Sequence, residues 1–191
     1  MNYTLVTPPA TEPLTLEETK LFLRVDSSVE DTLITSLIKA ARSKVEADTW
    51  RSLITQTWKL SMDKDEVKTF TGLTKSPIQS ISYVKYFDIN VVQQTLTTGS
   101  YQANLLNEPA IIKINPIPTM AEIMNSMEIQ FISGYGVAAS VPEDLKHAMK
   151  LLIGHWYEHR EAVTVGNMKD VPMAYDALIT PYKLIFYPYN Y

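Results

Sequence analysis

The apolar positions of this chain change period twice, dividing it into helix-patterned, strand-patterned and again helix-patterned stretches. Thr15-Leu16-Glu17-Glu18 has the form of a capping box, in which the threonine hydroxyl accepts the Glu18 amide and the glutamate carboxylate accepts the threonine amide. It predicts a short helix running to about Arg24. Asp26-Ser27-Ser28 interrupts that helix and offers a new cap, with Glu30 and Asp31 at the positive end of the next one. Leu33, Ile34, Leu37, Ile38, Ala41 and Val45 then recur at helical spacing to about Thr49. The result is a rod with one apolar stripe.

From Leu53 the period drops to two, and Trp58, Leu60 and Met62 alternate with Thr57, Lys59 and Ser61 as in a half-buried strand. Ile81, Tyr83 and Phe87 share one parity, Asp88-Ile89-Asn90 has turn character, and residues 91–96 return as the second arm of a hairpin. Residues 101–104, 110–114 and 127–133 complete a region of about six strands. Pro109, Pro116 and Pro118 punctuate it, because proline cannot donate to a ladder, and residues 116–126 read as an exposed loop. After Gly134-Tyr135-Gly136, Ser140-Val141-Pro142-Glu143 opens a second long helix. Its apolar face is Leu145, Ala148, Met149, Leu152, Ile153 and Trp156, and its expected end is near Ala162. Residues 163–170, with Gly166 and Asn167, read as a connector, and 172–179 as a last short helix.

The expected fold is therefore α+β: a mainly helical core of two long helices plus short helices, with an inserted antiparallel β region. Residues 1–52 form the N-terminal helical part, 53–133 the β insertion, 134–171 the C-terminal long helix and connector, and 172–191 a short helix and aromatic arm. Each long helix has one apolar face, so the simplest assembly packs them on each other.

With 191 residues, 46% of them hydrophobic, the chain can bury a proper core. No run approaches the ~20 apolar residues of a membrane span, and residues 1–11 lack the basic start and apolar centre of a signal peptide. A soluble, unprocessed protein without a membrane role is expected. Cysteine is absent, which excludes disulfides, thiolate catalysis and cysteine-type zinc sites. Net charge is −4 and the 17 basic residues are scattered singly, so a tight grip on nucleic acid is disfavoured. A surface that DNA slides past is compatible with that charge. Residues 182–191 hold five aromatics (Tyr182, Phe186, Tyr187, Tyr189 and Tyr191) and one charge, Lys183. At roughly 150–250 Å² each, they exceed the ~300–600 Å² apolar patch a monomer normally exposes. This tail packs either on its own core or on a neighbouring subunit or partner.

Candidate chemistry is thin. His155-Trp156-Tyr157-Glu158-His159 fits H-x-x-E-H, the inverted zinc-protease pattern of two histidines one turn apart beside a glutamate base. A catalytic zinc needs a third protein ligand, and only Glu161, Asp170 and Asp176 lie downstream. The simpler reading places both histidines on a solvated or interfacial side, Glu158 at the surface and Trp156 in the core. Asp63, Asp65 and Glu66 lack the glycine and distal glutamate of a calcium loop, and Gly134-Tyr135-Gly136 is explained by a tight turn. No catalytic residue, metal or cofactor is expected.

Four blocks in one order resemble a known family: residues 14–26 (Leu14-Thr15-Leu16-Glu17-Glu18 to Asp26), Leu53-Ile54-Thr55-Gln56-Thr57-Trp58, Phe131-Ile132-Ser133-Gly134-Tyr135-Gly136 with Val141-Pro142-Glu143-Asp144-Leu145-Lys146, and residues 154–162. Their order and spacing are similar to the head-tail connector (adaptor) proteins of tailed bacteriophages. The resemblance implies a structural virion protein without enzymatic activity, made in the host cytoplasm and built into the neck at the head-tail interface. There it would form a homo-oligomeric ring, commonly of 12 copies, between the portal protein and a stopper or tail-completion protein. Double-stranded DNA would pass through the lumen without sequence-specific binding. The helices would form the ring and the β region its periphery or lower face. Tyr182, Phe186, Tyr187, Tyr189 and Tyr191 would be the portal- or subunit-docking arm. The competing readings are a metal-dependent hydrolase using His155, Glu158 and His159, and another neck or tail-completion protein of the virion.

Overall fold

A computed structural model describes residues 1–159 and 173–185. They fall into two compact units, a strand unit of Met1–Ala10 and Thr55–Tyr135, which Leu184 and Ile185 join, and a helical unit of Thr11–Ile54 and Gly136–Lys183.

The helical unit contains α1 (Leu16–Leu23), α2 (Asp31–Thr49), α3 (Glu143–Glu158) and α4 (Met173–Ile179). The capping box forms as expected: the Glu18 amide donates to Thr15 Oγ1 at 3.1 Å, and the Thr15 amide to Glu18 Oε2 at 2.9 Å. Lys20 then ties α1 to the first turn of α2 through Asp31 at 2.7 Å. Ile34, Ile38, Ala41 and Val45 of α2 are buried, as are Leu145, Ala148, Met149, Leu152 and Ile153 of α3, and these stripes pack on each other. Trp156, expected in the core, is only half-buried, because it sits in the final turn of α3. The start of α2 is held differently from the serine cap expected. Glu30 is the N-cap, without a side-chain capping bond, and the Tyr157 hydroxyl donates to its carboxylate.

Beneath α2 lies a charged triad. Arg42 donates from Nε to Glu12 at 2.7 Å and from Nη1 to Glu46 at 2.9 Å, while the other Glu46 oxygen accepts the Leu53 amide at 2.8 Å. Burial opposes the Arg42 charge, but hydrogen bonds and charge from Glu12 and Glu46 outweigh it and raise its pKa.

The strand unit has eight strands among the described residues: β1 (Asn2–Thr7), β2 (Gln56–Met62), β3 (Phe70–Leu73), β4 (Ile78–Phe87), β5 (Gln93–Thr95), β6 (Tyr101–Asn104), β7 (Ala110–Ile114) and β8 (Met127–Ser133). They make two antiparallel sheets, ordered β1-β2-β8-β4-β5 and β3-β7-β6. In the larger sheet Ile129 faces Leu60 on one side and Val84 on the other. Met127, Ile129 and Phe131 of β8 join Leu60 and Met62 in one core with Leu73, Ile112 and Ile114 of the smaller sheet.

This corrects the expected fold class. The chain is not a mainly helical core with a β insertion but a mixed α+β protein, with four α-helices and two antiparallel sheets among its described residues. Two of those helices, α1 and α4, have only 8 and 7 residues. The strand unit also has its own core and draws β1 from the residues ahead of α1. β1 is exposed along most of its length, so it has no burial alternation to show in the sequence. Its ladder to β2 holds it, together with Tyr3, whose ring meets Phe131 edge-on at 6.3 Å and whose hydroxyl accepts the Thr74 amide at 3.0 Å.

Glu46→Ala would leave Arg42 with Glu12 alone and remove the acceptor of the Leu53 amide, and is expected to lower stability by about 3 kcal/mol. Glu46→Gln, which keeps the acceptor for Leu53, should cost less. Urea unfolding of both variants tests the order; equal losses would show that the lost charge carries the whole effect and the Leu53 bond contributes nothing.

Candidate functional site

The aromatic tail was the leading sequence candidate. α4 is seated by Tyr175 and Ile179, both buried, and the Tyr175 hydroxyl donates to Asp48 Oδ2 at 2.7 Å. Burial, then the Asp48 carboxylate, push that phenol far above its ordinary pKa, so it stays a donor. A 3₁₀ turn, Thr180–Tyr182, follows. The Tyr182 hydroxyl donates to Asp144 Oδ2 at 2.9 Å, and its carbonyl accepts Arg51 Nε at 2.6 Å. Tyr182 is thereby fastened to the helical unit. Phe186, Tyr187, Tyr189 and Tyr191 lie outside the described residues.

The H-x-x-E-H residues fall at the end of α3. His159 is the C-cap, its ring stacks on that of His155 with centroids 4.8 Å apart, and its Nδ1 lies 3.1 Å from the His155 carbonyl oxygen. Glu158 and His159 are exposed. Of the three possible further ligands, Glu161 and Asp170 lie outside the described residues, and Asp176 is 3.8 Å from Lys183. Among the described residues no three His, Asp or Glu side chains are placed to hold a metal ion. The Asp63 region is a 3₁₀ turn whose carboxylates serve backbone amides: Asp63 Oδ1 accepts Asn125 N at 2.6 Å and Glu66 Oε2 accepts Asp63 N at 3.0 Å. Gly134 and Gly136 have φ of 117° and 116°, the left-handed region that glycine tolerates, in keeping with a turn.

Two apolar surfaces that the sequence reading passed over are more unusual. At the tip of the β4–β5 hairpin, Ile89, Val91 and Val92 are 68%, 54% and 53% exposed. Val91 has φ 61°, uncommon for a β-branched residue. Asp88 holds the tip rigid, its carboxylate accepting the Asn90 and Val92 amides at 2.9 and 3.1 Å and Gln94 Nε2 at 2.9 Å. The Asp88 and Val92 backbones add a bond of 3.0 Å. In the sequence the signal was three branched apolar residues within a turn that normally takes glycine or asparagine. On the helical unit, α1 and the loop after it form a recess of about 530 Å³ lined by Glu17, Lys20, Leu21, Arg24, Val25 and Asp26. Leu21 is 81% exposed there.

Comparison with known proteins defines the class. The chain belongs to the head completion protein family, whose model matches residues 12–169. This agrees with the head-tail connector resemblance carried by the four sequence blocks. Among solved structures, the chain is similar to one from the neck of an empty gene transfer agent particle computed with C6 symmetry, at 22% identity and TM-score 0.80. It is also similar to a chain from the virion of the native particle, at 20% identity and TM-score 0.77, and to one from the neck of the native particle computed with C12 symmetry, at 21% and 0.77. Each match covers 98% of this chain and 97% of the other, and shows a shared fold. No curated protein matches the chain significantly.

The Asp88 carboxyl lies below its ordinary value of 3.8, held down first by Gln94 and then by the Val92 and Asn90 amides. A group depressed on folding stabilises above its unfolded pKa and loses that effect as pH falls through the folded one. The Asn90 and Val92 amide resonances should therefore shift in one step with a midpoint below 3.8. Asp88→Asn should abolish the step; a midpoint at or above 3.8 would show that the carboxylate does not organise the tip.

Proposed function

We propose that this chain is a structural, non-enzymatic component of the neck of a tailed-phage-type particle. In this reading copies of it assemble as a ring, of 12 subunits in the simplest case, between the portal and a stopper or tail-completion protein. The observation that carries the proposal is family membership across residues 12–169, supported by a fold shared end to end with chains from gene transfer agent necks. The electrostatics fit. A ring of subunits each at −4 repels phosphate overall, so it guides double-stranded DNA through a lumen without trapping it.

The helices of residues 1–52 and 134–171 would supply the ring, and the β region of 53–133 its periphery or lower face. The aromatic tail would be the portal-docking arm. Tyr182 and Lys183 are tied to the helical unit and Leu184 is buried, so these residues would serve as the root of such an arm.

Imaging of the intact particle should find this fold repeated around the neck axis; its absence from the neck overturns the reading. Truncation after Ile185 is expected to leave a folded protein whose affinity for the portal protein falls at least ~10-fold, the effect of about 1.4 kcal/mol of lost contact. Unchanged affinity in that binding measurement would reject the arm while leaving the neck assignment standing.

A further inference from the structure

We propose that the hairpin tip of one copy, residues 88–92, inserts into the α1 recess of the next copy and forms a ring-closing contact. This rests on the ring reading above. Three observations carry it.

The tip is built for contact. A solvent loop has no need to hold Val91 in the left-handed region, a conformation that persists only where neighbouring groups enforce it. Asp88 enforces it here, so the tip's side chains are presented with little conformational freedom left to lose on docking. The tip also carries no basic residue, which makes a phosphate backbone a poor occupant.

The recess complements it. Leu21 and Val25 give it an apolar wall, while Glu17, Lys20, Arg24 and Asp26 form a rim of two acids and two bases. Formal charge over the lining is zero, the one charge of the tip, Asp88, is engaged by its own turn and Gln94, and an apolar centre inside a polar rim is the usual anatomy of a protein interface.

The third observation is the pairing of shapes. A knob cannot fill another knob, so each patch needs the other; two copies could exchange tips reciprocally across a two-fold axis, but only head-to-tail pairing agrees with the ring reading, and only that pairing gives covalent multimers larger than a dimer in the test below. Each copy carries one knob and one hollow, the requirement for head-to-tail contact, and closure of the ring leaves neither exposed. On the ring reading, the occupant that this pairing of patches fits is a second copy of this chain.

The chain has no cysteine, so the introduced thiols are the only ones it carries, and the single variants control for reaction with other particle proteins. Particles carrying Ile89→Cys together with Leu21→Cys are treated with a short bismaleimide and run on a denaturing gel. A ladder of covalent multimers is expected, with monomer alone from either single variant. Rings visible by imaging but monomer alone on the gel would overturn this contact and leave the ring intact. Wild-type particles without a ring would overturn both. Should the double variant not assemble, Val91→Asn decides. Asparagine suits the left-handed region, so this variant should melt no lower than wild type while its incorporation into particles falls at least ~10-fold. Undiminished incorporation would refute the proposal.

Discussion

The buried Glu46 carboxylate is the constraint on which the helical unit depends. The chain enters this unit between residues 10 and 11 and leaves it between 54 and 55, the first two of its four crossings between the units. Glu12 lies just inside the first crossing and Leu53 just inside the second. Glu46 holds the Leu53 amide directly and Glu12 through Arg42, so one turn of α2 anchors the chain just inside the first two crossings. Buried charges cost several kcal/mol each to desolvate, and only near-complete hydrogen bonding offsets that cost. An apolar substitute of the same volume would pack equally well. It would not define where two separate backbone segments attach.

The strand unit is specified by different means. β8 is the axis of the larger sheet, pairing with β2 on one side and β4 on the other, although residues 63–77 and 88–126 separate these strands along the chain. Local hairpins alone cannot assemble it. Both neighbours must find β8, whose buried residues alternate along its length, and a one-residue slip would turn Met127, Ile129 and Phe131 out of the core. Such non-local pairing slows folding, since loop closure is opposed by entropy before any contact forms. The smaller sheet, β3-β7-β6, closes over the same core, which explains why the unit has its own hydrophobic centre.

What could be read from the sequence follows from which forces leave a local trace. The capping box of α1 and the stripes of α2 and α3 are written in residues three or four apart, and all three form. β6, β7 and β8 coincide with the expected strands, and β7 and β8 show why, because their burial alternates. β1 escaped because its partner lies fifty or more residues away and its side chains are mostly exposed. β3 escaped because Phe70-Thr71-Gly72-Leu73 is too short to show a period, and with both strands unseen the balance tipped wrongly toward helix. Tyr182 was legible as an aromatic but not as an anchor, since Arg51 and Asp144 reach it only after folding. The hairpin tip was read as a turn from Asp88-Ile89-Asn90. Its apolar character was on view, but its rigidity depends on Asp88 and on Gln94 six residues away.

The positive-φ residues sharpen the distinction between structural and functional strain. Arg24 and Trp50 are the C-caps of α1 and α2, a place where a left-handed residue satisfies orphan carbonyls and ends the helix. Asn125 is a residue type that tolerates this region. Val91 has neither reason. It ends no helix, its branched Cβ makes the conformation costly, and its exposed side chain gains nothing from the core. Glycine or asparagine would adopt this conformation at lower cost than valine does. Burial of the tip against a neighbouring subunit, the contact proposed above, would offset that cost through the apolar area of the valine side chain.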